Sequence, residues 1–91
     1  MFPMHTVREL DKHTGEVWQV MFSHNGTMLA SCGGDGTCII YEVGSFEVLQ
    51  TFSRHEKGVT ALSWSPDDSM IVTCSEDRHA TLWDVNVSLI Y

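Results

Sequence analysis

His13, Ser31 and Asp35 supply a base, a hydroxyl and a carboxylate, and His55, Thr73 and Asp77 supply the same types forty-two residues later. A Ser–His–Asp set can activate its hydroxyl: the imidazole takes the hydroxyl proton while the carboxylate orients the ring. On that chemistry the chain reads as a hydrolase working through His13, Ser31 and Asp35. The duplication favours a different reading. A catalytic set has no reason to occur once per repeat unit, whereas a device that satisfies buried polar groups in a turn does, because each unpaired group costs about 1–3 kcal/mol.

Other chemistries are poorly supplied. Cys32, Cys38 and Cys74 are odd in number and contain no CxxC, so they read as free thiols of a reducing compartment. Cys32 and Cys74 fall at the same strand position in each copy and read as small buried residues. The scattered histidines do not fall at zinc spacing, and Asp67-Asp68 reads as a turn rather than a calcium loop. No metal or cofactor is expected. His24 in a turn and His79 beside one are expected in solvent, and Met21, Met28 and Met70 are expected to fill core.

Ninety-one residues allow one small domain with a thin core. Twelve acidic against five basic residues give a net charge of −7, a field that repels phosphate backbones and anionic membranes. No apolar run approaches the length of a membrane-spanning helix, and residues 1–10 do not read as a secretory signal. The location expected is the cytoplasm or the nucleus.

The elements that hold these side chains are set by the repeat. Residues 13–43 laid on 55–85 give seven identities in thirty-one ungapped positions. They include His13 on His55, Asp35 on Asp77 and Cys32 on Cys74. Elsewhere character is kept: Phe22 meets Trp64, Ile40 meets Leu82 and Tyr41 meets Trp83. Within the first copy, strands are expected over residues 17–23, 28–32, 37–43 and 46–52. Asn25-Gly26, two residues that tolerate positive φ, turns the first pair, and the run Gly33-Gly34-Asp35-Gly36 turns the second. The second copy repeats the order over residues 59–65, 70–74 and 80–85. The strands are largely apolar on both faces, as in sheets covered on both sides.

Four short strands per forty-two residues, the third closed by Trp83-Asp84, is the pattern of a propeller blade. The chain resembles two consecutive repeats of the WD-repeat β-propeller family, carried by His55, Asp77 and Trp83-Asp84 and by His13, Asp35 and Tyr41-Glu42. It departs from the family where Gly-His has become Lys12-His13 and Arg54-His55, and where the first Trp-Asp has become Tyr41-Glu42. The fold implied is all-β, two four-stranded antiparallel blades of a partial propeller. Residues 1–12 would be an outer strand and loop of a preceding blade, 13–53 the first blade, and 54–91 a second blade with an incomplete outer strand.

The resemblance also implies a structural network from Asp77 to His55, Thr73 and Trp83, and from Asp35 to His13, Ser31 and Tyr41. It further implies a binding face for proteins or peptides, built from Lys12, Glu16, Trp18 and Gly34 of one repeat and Arg54, Lys57, Thr60 and Glu76 of the other. Trp18 is the strongest candidate there, because large aromatics dominate binding surfaces. Against that, the indole could simply pack on the neighbouring blade. The elements Glu16-Val17-Trp18, Ile39-Ile40-Tyr41 and Trp64-Ser65-Pro66-Asp67-Asp68 are similar to the first repeats of the WD-repeat subunit of GID/CTLH ubiquitin ligases, which implies a scaffold or adaptor role. Two blades leave sheet faces bare, so further blades from the same or another chain are expected partners. A chain that stops at two blades could also be a truncated propeller with no function of its own.

Overall fold

The computed structural model describes Leu10, residues 12–53 and residues 55–85. All regular structure there is β. Strands β1 (Val17–Phe22), β2 (Met28–Gly33), β3 (Cys38–Glu42) and β4 (Val48–Phe52) form one antiparallel meander. Strands β5 (Val59–Trp64), β6 (Met70–Ser75) and β7 (Ala80–Asp84) form a second, three-stranded one. The outer strand and loop expected over residues 1–12 lie, but for Leu10 and Lys12, outside the described residues, as do Arg54 and residues 86–91.

Local chemistry fixes the turns. After β1, the Asn25 side-chain oxygen accepts from the Thr27 amide at 3.0 Å and hydroxyl at 2.7 Å and from the Ser23 hydroxyl at 2.8 Å. Gly26 alone takes a positive φ, 74°, so the turn is not the doubly left-handed kind that Asn-Gly suggests. Asp67 plays the Asn25 part in the second blade, accepting from Ser65 and Ser69, and Asp68 takes the Gly26 part at φ 61°. The strand expected from residue 46 starts at Val48, because Phe46 is itself left-handed at φ 56° and closes a turn on the Glu42 carbonyl.

Alternation then sorts the faces. Ala30 and Cys32 on β2 lie opposite Ile40 and Cys38 on β3, and all four are buried against the second sheet. From the other side come Val59, Leu62, Trp64, Ile71 and Trp83, with Phe52 of β4 stacked on Trp83 at 4.5 Å and 12°. Such a pair adds about 0.5–1.5 kcal/mol to its area burial. Polar bonds cross the same junction: the Leu62 amide donates to Gln19 Oε1 at 3.0 Å, and Trp64 Nε1 to the Met21 carbonyl at 3.0 Å.

The outward faces differ from expectation. β2 and β3 are buried on both sides, but Val20, Phe22 and Leu82 are exposed by 57%, 59% and 65%. Met21 and Met70 are exposed too, and only Met28 packs on the core. Cys74 is exposed although Cys32 is buried. The cause is positional, since the sheet that covers Cys32 has no counterpart over Cys74 among the described residues. His24 is about half exposed, yet its Nδ1 lies 2.9 Å from Asp68 of the other sheet.

Candidate functional site

The long bulged end of each hairpin carries the polar residues that the sequence singles out. His13 Nδ1 stands 2.8 Å from Asp35 Oδ2 and Nε2 stands 2.7 Å from the Ser31 hydroxyl. His55 repeats this with Asp77 at 3.1 Å and Thr73 at 2.8 Å. A carboxylate only accepts, so in the neutral ring the proton sits on Nδ1 and Nε2 accepts a hydrogen bond from the hydroxyl. Thr73 is then left to accept from Trp83 Nε1 at 2.9 Å, which extends the second chain by one bond. Tyr41, the corresponding residue in the first blade, is buried with Leu29 and Ile39, and a bond to Ser31 is not among the contacts described.

Both carboxylates also cap their own turns. Asp35 accepts from the Thr14 and Thr37 amides and the Thr37 hydroxyl, and Asp77 from the Glu56 and His79 amides. Partial burial pushes the Asp35 carboxyl up, but the bonds from Thr37, His13 and Thr14 outweigh it and hold the carboxyl down at about 2. Asp77 is held at about 2 in the same way, burial being outweighed by bonds from His79, His55 and Glu56. These are the features of a stabilised anion in a fixed turn.

Geometry alone would permit a hydroxyl-activating set, but access does not. Ser31 is 4% exposed and Thr73 fully buried, so neither oxygen can meet a substrate. Burial first, then the adjacent Cys32, pushes the Cys38 thiol up to about 12, and burial pushes Cys32 up to about 11, so neither is a thiolate nucleophile near neutral pH. An open cleft of about 400 Å³ beside the second set is lined by His55, Glu56, Asp77, His79, Ala80 and Thr81. Its His55 and Asp77 already bond each other. Among the described residues no three His, Cys, Asp or Glu side chains converge as metal ligands.

The loop face above these networks is where side chains remain presented. Lys12, Glu16, Trp18, Gly34, Lys57, Thr60 and Glu76 are all exposed there. The register of β1 on β2 slips between Val17 and Gln19, and that of β5 on β6 between Val59 and Ala61. A bulge therefore stands at Trp18 and at Thr60 and re-aims both side chains out of their sheets. Thr60 turns back to the Cys74 carbonyl at 3.3 Å. Trp18 instead lays its indole across Gly34 of its own blade and Gly58 of the next. A Cβ on Gly58 would overlap the ring, and one on Gly34 would stand 3.2 Å from Cζ2.

Trp18 packs on the second blade, as one of the two readings expects, and remains 44% exposed. Sequence reasoning passed over Gly58. The signal was present, since Gly58 stands where the first copy has Glu16, but only the far side of the junction shows what the missing side chain makes room for.

Comparison with known proteins bears on the same arrangement. Residues 4–42 and 46–84 match the family described as "WD domain, G-beta repeat". The WD repeat-containing protein 26 homolog of Arabidopsis thaliana is 42% identical over 87 residues, covering 92% of this chain and 15% of the relative. The WD repeat-containing protein WDS homolog of the same plant is 38% identical over 91 residues, covering 97% of this chain and 17% of the relative. Actin-interacting protein 1 of Drosophila melanogaster is 39% identical over 75 residues, covering 80% and 12%. The chain spans well under a fifth of the length of each.

Proposed function

The chain belongs to the WD domain, G-beta repeat family, whose members act as protein-interaction scaffolds, and from that premise we propose that this chain is a non-enzymatic binding module. Its loop face takes a protein segment, and its two bare sheet faces take further blades of the same kind. The single observation that supports this most directly is Trp18, re-aimed out of β1 by a bulge, seated on two glycines and 44% exposed. A rigid, half-exposed aromatic at the junction of two blades is the kind of group that anchors a partner.

The finer assignment is to a ubiquitin-ligase assembly of the GID/CTLH type, with the chain as scaffold or adaptor in the cytoplasm or nucleus. It is supported by the resemblance of the Glu16-Val17-Trp18, Ile39-Ile40-Tyr41 and Trp64 to Asp68 elements, and by free rather than paired cysteines. Selection of a displayed random-peptide library on the wild-type chain, with counter-selection on Trp18→Ala, tests the module reading. Clones retained by wild type and lost from Trp18→Ala support it. A set of clones indifferent to Trp18 overturns it.

A further inference from the structure

The two copies are each other's control. What recurs in both serves the blade: the His–Asp pairs, the hydroxyls Ser31 and Thr73, the bulges and the turn-capping carboxylates. What occurs once calls for another explanation. At the bulge the first copy has Glu16, Trp18 and Gly34, and the second has Gly58, Thr60 and Glu76 at the same three positions. The blade therefore folds with a Thr at the bulge and a Glu at the Gly34 position, and requires neither the indole nor its seat.

Trp18, Gly34 and Gly58 are nevertheless matched to one another. The indole reaches across the junction, and the two positions beneath it are the ones where a side chain is missing. The backbone at these two positions lies against the benzo ring of the indole, and 44% of the residue stays exposed. At its edge the indole N–H donates to the Glu16 carboxylate at 3.3 Å, which places a negative charge beside the exposed aromatic. Glu76, whose amide donates to the Gly58 carbonyl at 3.1 Å, brings a second carboxylate-bearing residue to the same junction. Lys12 and Lys57 share the face, but the chain as a whole carries −7.

Resting on the interaction-module reading, we propose that Trp18 and Glu16 form a subsite for an arginine side chain of a basic peptide. The chemistry asks for a cation that is also flat. An indole face attracts a cation through its quadrupole, and a carboxylate at the ring edge adds charge-assisted hydrogen bonds. A guanidinium does both at once, because it is planar, weakly hydrated and carries donors in its own plane. A lysine ammonium is a hydrated point charge that stacks on nothing. An acidic or wholly apolar segment would leave the Glu16 charge unanswered.

The probes are pools of short peptides with identical random flanks and a central arginine, lysine, citrulline, leucine or glutamate. Their binding to the full chain is followed by anisotropy, together with the Trp18 indole N–H resonance. The arginine pool binds about tenfold tighter than the citrulline pool and shifts the Trp18 resonance, leaving those of buried Trp64 and Trp83 in place. Glu16→Gln shrinks the arginine preference and Trp18→Ala removes it, although Trp18→Ala keeps every charge and so reports non-specific attraction. Citrulline or leucine pools that bind as tightly as arginine, still dependent on Trp18, overturn the arginine subsite and leave the module reading standing. No Trp18-dependent binding by any pool removes both.

Discussion

The Asp68 carboxylate accepts the His24 amide at 2.8 Å and the Asn25 amide at 3.0 Å, tying a turn of the second blade to the matching turn of the first. His24 Nδ1 adds a third bond at 2.9 Å. Asp68 occupies the position of Gly26 and adopts its left-handed φ without being glycine. The clasp offsets that backbone cost, which is of order 1 kcal/mol or more for a residue with a Cβ. Asp68→Gly relieves the backbone and loses the clasp. Because two turn amides lose their acceptor, the melting temperature falls by roughly 5 °C. Thermal melts of wild type and Asp68→Gly check this, and an unchanged or higher midpoint would refute the clasp.

Acid should act through the same groups. Asp35, Asp67 and Asp77 are held at about 2 and Asp68 below its ordinary value of 3.8. In the unfolded chain each returns to that ordinary range, so the unfolded state binds protons first as pH falls. Their contribution is therefore complete above about pH 5 and is lost as pH falls towards 2. Urea midpoints hold level from neutrality to about pH 5 and then drop steeply. A midpoint insensitive to pH below 4 would contradict the capping roles.

The hydrogen-bonded chains differ by one link, and their deletions should differ accordingly. Thr73→Val leaves both His55 Nε2 and Trp83 Nε1 without a partner in a buried site. Ser31→Ala strands only His13 Nε2. At about 1–3 kcal/mol per stranded group, Thr73→Val costs about twice as much as Ser31→Ala in urea unfolding. Equal costs would show that the Trp83 link carries nothing.

Much of this was legible in sequence, and the limits have a physical cause. All seven strands begin and end within two residues of where alternation and turn residues put them, because those signals act within one hairpin. The largest departure is the start of β4, whose expected first residue Phe46 is left-handed. The contacts that sequence reasoning missed cross the junction between blades: Gln19 to Leu62, Met21 to Trp64 and His24 to Asp68, and for Trp18, whose packing on the next blade was one expectation, the Gly58 seat. Period-two alternation tells which face a residue is on. It does not tell what stands across the gap, which is also why Cys74 was expected to be buried as Cys32 is.

Glycine substitutions separate the two reasons a glycine can be needed. At Gly58 a Cβ would overlap the Trp18 ring and lie 3.1 Å from the Gly34 Cα, while its φ is ordinary. At Gly26 nothing lies within 4 Å, but φ is +74°. Gly26→Ala therefore costs about 1 kcal/mol of stability through backbone strain and leaves the Trp18 indole resonance where it is. Gly58→Ala displaces that resonance and lowers the retention of Trp18-dependent peptides. If Gly58→Ala leaves both readouts unchanged, the glycine seat has no part in presenting the indole.

The bare faces make the most direct prediction about assembly. Leu82 stands where the first blade has Ile40, which is buried against the second blade, and Phe22 stands where the second has Trp64, which is buried against the first. One exposed face is thus the counterpart of the surface that already packs on the counterpart of the other, so the free faces are complementary head to tail. Isolated chains should associate through one Leu82 face and one Phe22 face, with a molar mass by light scattering that exceeds the monomer and rises with concentration. Leu82→Asp alone and Phe22→Asp alone should each suppress it, because a heterologous contact needs both partners, whereas a self-matching contact would respond to one substitution only. A discrete trimer or tetramer would mean that the repeats close a ring, and a polydisperse series that the rotation between chains does not close. A strict monomer at all concentrations would show that the faces are not docking surfaces for blades of this kind.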